Sequence, residues 1–325
     1  MDLEMLQARA RIIRRVRAFF DAKGYLELDT PLLAPDLIPE SCLEVFETWR
    51  ALPSGAIKPY WLVPSPEIWM KKIIARHAVS VYQVCKCFRN GESAGFLHSP
   101  EFTMLEYYTM GAGYMDSLAL TEEMFAHLCA EPESQASPAL RPPFERVTVA
   151  EAFARHAGFD LFAAAASEGA LAMEARRLGL DPQPGAETGA LYDLIFIHAV
   201  EPELRRSPRP VALLDYPAFV PCLAQPGANG NTVERWELYF NGIELANCFS
   251  EETDAGRVRA FFESESAEKE ASALVRHRVD ADYWKSIAGK RPFPRCSGVA
   301  MGLDRLIMAL CGRSTIDAVL PFPME

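Results

Sequence analysis

Nothing in this 325-residue chain leaves the backbone less choice than residues 236–247, two strand-like runs joined by Asn241-Gly242. Asn-Gly supplies both positive-φ positions of a type I′ turn, so the runs are predicted to pair as a hairpin with a two-residue loop. A loop of that length sets the register. Phe240 then faces Ile243, Tyr239 faces Glu244 and Glu237 faces Ala246, which makes Glu237 and Glu244 diagonal neighbours on one face. Two carboxylates so placed repel unless a cation lies between them, and Mg²⁺ favours a few carboxylates with phosphate oxygens as further ligands. Asn247 falls on the opposite face of an ideal strand, and only a twist or bulge would bring it round.

Further alternating or β-rich runs at residues 60–63, 81–89, 101–108, 211–216 and 297–302 predict, with the hairpin, a mainly antiparallel sheet. Residues 145–206 are rich in Ala, Leu and Glu and lie between a Pro-rich stretch and an Arg/Pro segment, which predicts a helical insertion. Residues 6–23 place Ile12, Ile13, Val16, Phe19 and Phe20 on one stripe, with Arg9, Arg11, Arg14, Arg15 and Arg17 around the rest. That pattern predicts an amphipathic helix whose arginine face is solvated. The expected fold class is α+β, a single domain with flanking helices.

Half the residues are apolar, yet no apolar run is long enough to span a membrane. The charged N-terminus lacks the apolar stretch and small-residue cleavage site of a secretory signal. A soluble, cytoplasmic protein is expected, with no membrane partner. Its 8 cysteines are scattered apart from Cys85 and Cys87, whose spacing matches no common zinc pair, so reduced thiols are expected. The net charge of −11 opposes broad, nonspecific contact with nucleic acid.

Chemistry-bearing residues gather on the predicted strands and helix starts. Residues 81–89 and 101–108 read as a hairpin with a long functional tip, and period-2 alternation puts Phe102, Met104, Glu106 and Tyr108 on one face. An aromatic ring, a carboxylate and a phenol on one surface suit adenine stacking at one end and an amine at the other. Ser65-Pro66-Glu67 is predicted to open a helix, with Ser65 as N-cap and Pro66 in the first turn. Asp304 is predicted to start another helix, with Arg305 in its first turn. A cation there opposes the helix dipole, which makes sense if an anion binds in front of it. Gly298 and Gly302 carry no Cβ, which leaves the backbone there open to a close approach.

The stretch Cys87-Phe88-Arg89-Asn90-Gly91-Glu92 through His98-Ser99-Pro100-Glu101-Phe102-Thr103-Met104-Leu105-Glu106, paired with Gly298-Val299-Ala300-Met301-Gly302-Leu303-Asp304-Arg305, resembles motifs 2 and 3 of class II aminoacyl-tRNA synthetases. The first is closest to the lysyl branch. Residues 25–31, which alternate and end at Pro31, resemble motif 1, and this implies a homodimer. Motif 1 comes so early that no room is expected for the anticodon-binding barrel that precedes it in lysyl-tRNA synthetases. Adding Ser65-Pro66-Glu67, Gly242-Ile243-Glu244-Leu245-Ala246-Asn247 and Cys296-Ser297-Gly298-Val299-Ala300, the chain resembles the elongation factor P β-lysine ligase family over essentially its full length. That family has Ser and Ala at the positions of Ser65 and Ala300, where lysyl-tRNA synthetases have Ala and Gly.

This resemblance implies ATP and Mg²⁺, with Arg89 on the α-phosphate and the donor carboxylate and Arg305 on the γ-phosphate. It implies that Asn90, Glu92, His98, Ser99, Phe102, Leu245, Asn247 and Gly302 complete the nucleotide site, with Phe102 on adenine and Glu237 and Glu244 on the metal. Ser65, Pro66, Glu67, Glu106, Tyr108, Phe249, Glu251 and Ala300 would line the donor site, with Glu251 meeting the distal amine. The implied reaction activates β-lysine, or lysine, as an adenylate and passes it to a lysine ε-amine on elongation factor P, with no stable nucleic-acid partner. Two other readings are a truncated synthetase charging tRNA, disfavoured by the acidic charge and missing anticodon module, and a noncatalytic regulator, disfavoured by Arg89, Glu237, Glu244 and Arg305 together. Three departures stand out: Cys248 replaces the family's glycine and is expected to add a side chain beside the pocket, Gly91 is inserted before Glu92, and Ser99 stands where Asn is usual.

Overall fold

A computed structural model describes residues 2–91, 96–130, 138–287 and 292–323. Its strands are β1 (Leu26–Glu27), β2 (Leu33–Ala34), β3 (Glu47–Ala51), β4 (Ile57–Leu62), β5 (Val81–Phe88), β6 (Glu101–Met110), β7 (Glu145–Thr148), β8 (Val211–Pro217), β9 (Thr232–Phe240), β10 (Ile243–Ser250) and β11 (Cys296–Gly302). Eight of them form one sheet in the order β1-β5-β6-β11-β10-β9-β8-β7, while β2-β4-β3 form a separate three-stranded sheet. The expected antiparallel sheet is present in its centre, but both outermost pairings, β1 with β5 and β7 with β8, are parallel. Residues 60–63, expected as a strand, fall at the end of β4 in the small sheet.

Helices cover the large sheet because each carries an apolar stripe. In the N-terminal helix Leu3–Ala22 the side chain of Asp2 accepts from the Glu4 amide, and Met5, Val16, Phe19 and Phe20 are buried. Phe20 stacks on Tyr82 of β5 with ring centroids 4.9 Å apart. That face, the helix Tyr114–Leu128 and the C-terminal helix Leu303–Leu310 share one core with Trp236, Leu238, Val299 and Met301 of the sheet. The arginine face is not wholly solvated. Arg9 is buried, forms an ion pair with Asp304 at 2.6 Å, and donates to Thr103 Oγ1 at 2.8 Å. Burying a charge without a partner is costly, so this pair ties the first helix to the last.

The predicted helical insertion begins instead as a strand, β7, whose four residues pair with β8. After it the chain turns helical at Val149–Ala152, where Thr148 and Glu151 form a capping box, and further short helices build a second core around Phe153, Tyr192 and Phe196. Among the described residues, no helix is long and apolar enough to cross a membrane.

The hairpin forms with Asn241 at φ 52° and Gly242 at φ 73°. Phe240 faces Ile243 and Tyr239 faces Glu244, as the turn demands. A bulge between Glu244 and Ala246 then shifts the register, so Leu238 faces Ala246 and Glu237 faces Asn247. The expected pairing of Glu237 with Ala246 is corrected by one residue, and Asn247 turns to the side of the two glutamates.

Candidate active site

Two cavities of about 340 and 490 Å³ open beside the central strands and share Arg89, Met104, Asn247 and Ala300. The smaller is lined by His98, Ser99, Phe102, Glu237, Glu244, Leu245, Gly302 and Arg305. Sequence spacing of about 200 residues separates Arg89 from Arg305, yet strands β5, β6, β11 and β10 lie side by side and bring them to one place. The Arg89 guanidinium lies 5.3 Å from the Phe102 ring centroid. Arg305 donates to the Glu244 carbonyl at 2.9 Å and the Leu97 carbonyl at 3.2 Å. Both contacts are neutral, so its charge remains available to an anion in the cavity.

The C-terminal helix starts one residue earlier than expected, at Leu303 with Gly302 as N-cap. Asp304 is therefore no cap. It is 1 % exposed, accepts the Thr103 amide at 2.6 Å and holds Arg9, acting as a buried peg behind Arg305.

Behind Asn247 lies Arg235, which donates to Asn247 Oδ1 at 3.1 Å and to Glu237 Oε1 at 2.5 Å. Burial opposes the Arg235 charge, but Glu237 more than restores it and raises the pKa. Glu237 Oε2 also accepts from Tyr216 at 2.5 Å and Tyr239 at 2.6 Å. Three donors against roughly four lone-pair sites leave Glu237 little spare capacity. Glu244 differs: its carboxylate accepts no hydrogen bond from the described residues, and burial, then Glu237, push its pKa up to about 7. A cation would relieve both. Among the described residues no group of three or more His, Cys, Asp or Glu could hold a metal. The donor set fits Mg²⁺ arriving with phosphate oxygens, anchored mainly by Glu244.

The larger cavity is lined by Ser65, Glu67, Glu106, Tyr108, Phe249, Glu251 and Gly298. Pro66, not Ser65, is the N-cap residue of the helix Glu67–His77, and Ser65 caps from one position upstream by accepting the Glu67 amide at 3.0 Å. The same hydroxyl donates to Glu106 Oε2 at 2.9 Å, while Tyr108 donates to Glu106 Oε1 at 2.6 Å. Lys71, unremarked in the sequence, is 1 % exposed and pairs with Glu67 and Glu251, each at 2.5 Å. The rings of Phe249, Tyr108 and Tyr283 surround its ammonium at 5.3, 5.9 and 6.0 Å. Burial opposes the Lys71 charge, yet Glu251 and Glu67 hold its pKa well above the ordinary value. Glu106 and Glu251 are each pushed up to about 8, chiefly by burial.

Gly298 lines this larger cavity and not the smaller one. A Cβ there would lie 2.5 Å from the Tyr108 ring and 2.6 Å from Glu251 Oε1, so only glycine lets both approach. Ala300 lies between Asn247 of β10 and Glu106 of β6, where the cavities meet.

Some expected members stand elsewhere. Asn90 lines neither cavity; its amide donates to the Val45 carbonyl at 3.4 Å. Pro66 also lies off both linings, its part being to start the helix. Glu92 is outside the described residues. The side chain of Cys248 does not enter the site: it is fully buried in the core on the other sheet face, 3.3 Å from Ser297 Oγ. Cys85 and Cys87 lie 3.8 Å apart at sulfur, and both thiols are free.

The pattern of the family described as tRNA synthetases class II (D, K and N) matches residues 2–325. The elongation factor P–(R)-β-lysine ligase of Avibacterium paragallinarum is 35% identical over 326 residues, covering 100% of this chain and 96% of that protein. The protein of the same name from Mannheimia succiniciproducens is 34% identical, covering 98% of this chain and 95% of its own length. That of Pasteurella multocida is 33% identical, covering 100% and 96% respectively.

Proposed function

The chain belongs to the class II tRNA synthetases of the D, K and N group, and we propose that it is an AMP-forming ligase that activates (R)-β-lysine and transfers it to a lysine of elongation factor P. The observation that carries this reading is the meeting of two unlike cavities at Arg89. One side offers Arg305, Phe102 and a Glu244 carboxylate without a partner among the described residues to a nucleotide. The other is lined by six acids, Glu40, Glu67, Glu106, Asp193, Glu251 and Glu265, against Arg89 and Arg235, with Lys71 buried behind Glu67 and Glu251, so acids outnumber bases there. A donor that carries ammonium groups suits that acidic lining.

In this reading Arg89 clamps the α-phosphate and the donor carboxylate, and Arg305 holds the γ-phosphate. Phe102 stacks on adenine, with His98, Ser99, Leu245 and Gly302 framing it. Mg²⁺ supplies charge neutralisation to the phosphates when bound at Glu244 and Glu237. The carboxylate oxygen attacks the α-phosphorus, the bond to the β-phosphate oxygen breaks, and pyrophosphate leaves. Positioning and electrostatics supply the acceleration. The acceptor amine then displaces AMP from the activated carbonyl.

The whole chain acts here as one catalytic unit, and the helical insertion contributes Asp193 to the donor cavity. The homodimer belongs to the same reading: the edge strand β1 leaves Leu26 53% exposed, and Leu33 close by in sequence is 49% exposed. A second copy would cover them. The net charge of −11 supports a protein acceptor over a polyanion. Intact-mass analysis of elongation factor P after incubation with enzyme, ATP, Mg²⁺ and β-lysine should show one adduct. Labelled donor accumulating on tRNA at a comparable rate would overturn the reading.

A further inference from the structure

The transfer step needs a base, because a lysine ε-ammonium titrates near 10.4 and must lose a proton before it can attack. Among the described residues, Glu40 is the one carboxylate that lines both cavities. Of the other acids on the larger cavity, Glu67 and Glu251 are committed to Lys71, Glu106 to Ser65 and Tyr108, and Glu265 to the Ser41 amide, while Asp193 lies off the smaller cavity and Glu244 off the larger. The Glu40 carboxylate accepts no hydrogen bond from the described residues.

Its backbone, in contrast, is pinned. Lys269 of the helix Ala255–Ser272 donates to the Glu40 carbonyl at 2.9 Å and to the Leu43 carbonyl, and Glu265 of the same helix accepts from Ser41 at 2.8 Å. Glu40 itself is half-buried, and its neighbour Cys42 is exposed, so this loop stands where the joined cavities meet solvent. An amine arriving from outside on a protein would reach the Arg89 junction past Glu40.

Resting on the function proposed above, we infer that Glu40 is the general base for the acceptor amine in the transfer step. One proton passes from the acceptor ammonium to the Glu40 carboxylate. The freed nitrogen lone pair forms the C–N bond, the bond from the carbonyl carbon to the phosphate oxygen breaks, AMP leaves with that electron pair, and the second nitrogen proton goes to solvent. Burial, then the charge of Glu67, push Glu40 up to about 7 against Arg89, Lys269 and Lys71, and the thiol of Cys42 facing it is raised too. A base titrating there is half ionised at neutral pH, where general-base catalysis is most effective.

The test separates the two half-reactions. Enzyme preloaded with ATP, Mg²⁺ and β-lysine is mixed with elongation factor P and the amide followed by mass, while pyrophosphate exchange is measured alone. Glu40→Gln is expected to slow transfer by about 100-fold or more and exchange by less than about threefold, and to abolish the rise in transfer rate through pH 7. Glu40→Asp should keep that rise. Equal losses in exchange and transfer, or a Glu40→Gln profile that still rises through pH 7, would overturn the assignment. Wild type that fails to exchange pyrophosphate would overturn the functional reading itself, whereas normal transfer by Glu40→Gln beside an active wild type sinks Glu40 alone.

Discussion

The two cavities that meet at Arg89 solve opposite electrostatic problems. In the smaller, Arg305 is held by neutral carbonyls and Glu244 by nothing among the described residues, so charges are left open for a ligand. At the larger, Lys71, Glu67, Glu251, Tyr108, Glu106 and Ser65 already satisfy one another. The first end waits for its counterions; the second carries one of its own. Loss of a side chain should therefore cost binding and catalysis at one end, and stability as well at the other.

The largest effect should come from breaking the closed network. Lys71→Met leaves the buried Glu251 and the half-buried Glu67 without their cation, and removing one partner of a buried pair costs about 3–5 kcal/mol. Denaturant titration should show that loss, together with weaker donor binding. A variant as stable as wild type would mean that the network is not closed. Glu244→Gln should behave in the opposite way. Pyrophosphate exchange should fall by roughly 10²–10³ with an altered Mg²⁺ dependence, while the unfolding midpoint holds or rises, because a carboxyl raised to about 7 was costly to ionise in the fold. Unchanged exchange would remove Glu244 from the metal.

How much of this was legible in the sequence depends on the range of the interaction. The Asn241-Gly242 turn and the first two pairs of its hairpin are local, and they stand as predicted. The bulge after Glu244 has no local signal, since no glycine or proline marks it; it answers to the two sheet faces, which need Asn247 in the cavity and Cys248 in the core. Arg9 looked like one more arginine on a solvated face because its partner, Asp304, lies at the other end of the chain. Lys71 was hidden in the same way, as half of a Lys71-Lys72 pair on an amphipathic helix. Buried ion pairs join distant segments, and residue pattern alone does not identify partners.

A pH series sharpens the contrast between the ends. Burial pushes Glu106 and Glu251 up to about 8 in the fold, from 4.5 in the unfolded chain. Between those values the folded protein holds protons that the unfolded chain has lost, so these groups make stability fall as pH rises through that window. A donor's ammonium groups favour the ionised carboxylates and reverse the trend. The donor KM in pyrophosphate exchange should drop more than about tenfold from pH 6 to 7.5, and the donor-induced rise in Tm should be larger at pH 7.5 than at pH 6. A flat donor KM would mean that Glu106 and Glu251 are already ionised before the donor arrives.

The finest test concerns the seam between the cavities, where Ala300 faces both. Its methyl group would crowd an α-amino group, whereas a β-amine sits one carbon further from the carboxylate and escapes it. One methyl discriminates by roughly 1–3 kcal/mol, enough to set a preference without forbidding α-lysine. Wild type should therefore activate β-lysine better than α-lysine, and Ala300→Gly should narrow the ratio of their kcat/KM values by improving α-lysine. Cys248, the sequence departure nearest in the chain to Asn247, provides the internal control, because its side chain packs in the core against Ser297 on the other face of β10. Cys248→Ala should leave that ratio where it was. If it moves the ratio as far as Ala300→Gly does, donor choice is transmitted through the sheet and not set by contact at Ala300; if neither moves it, selection lies deeper in the cage around Lys71.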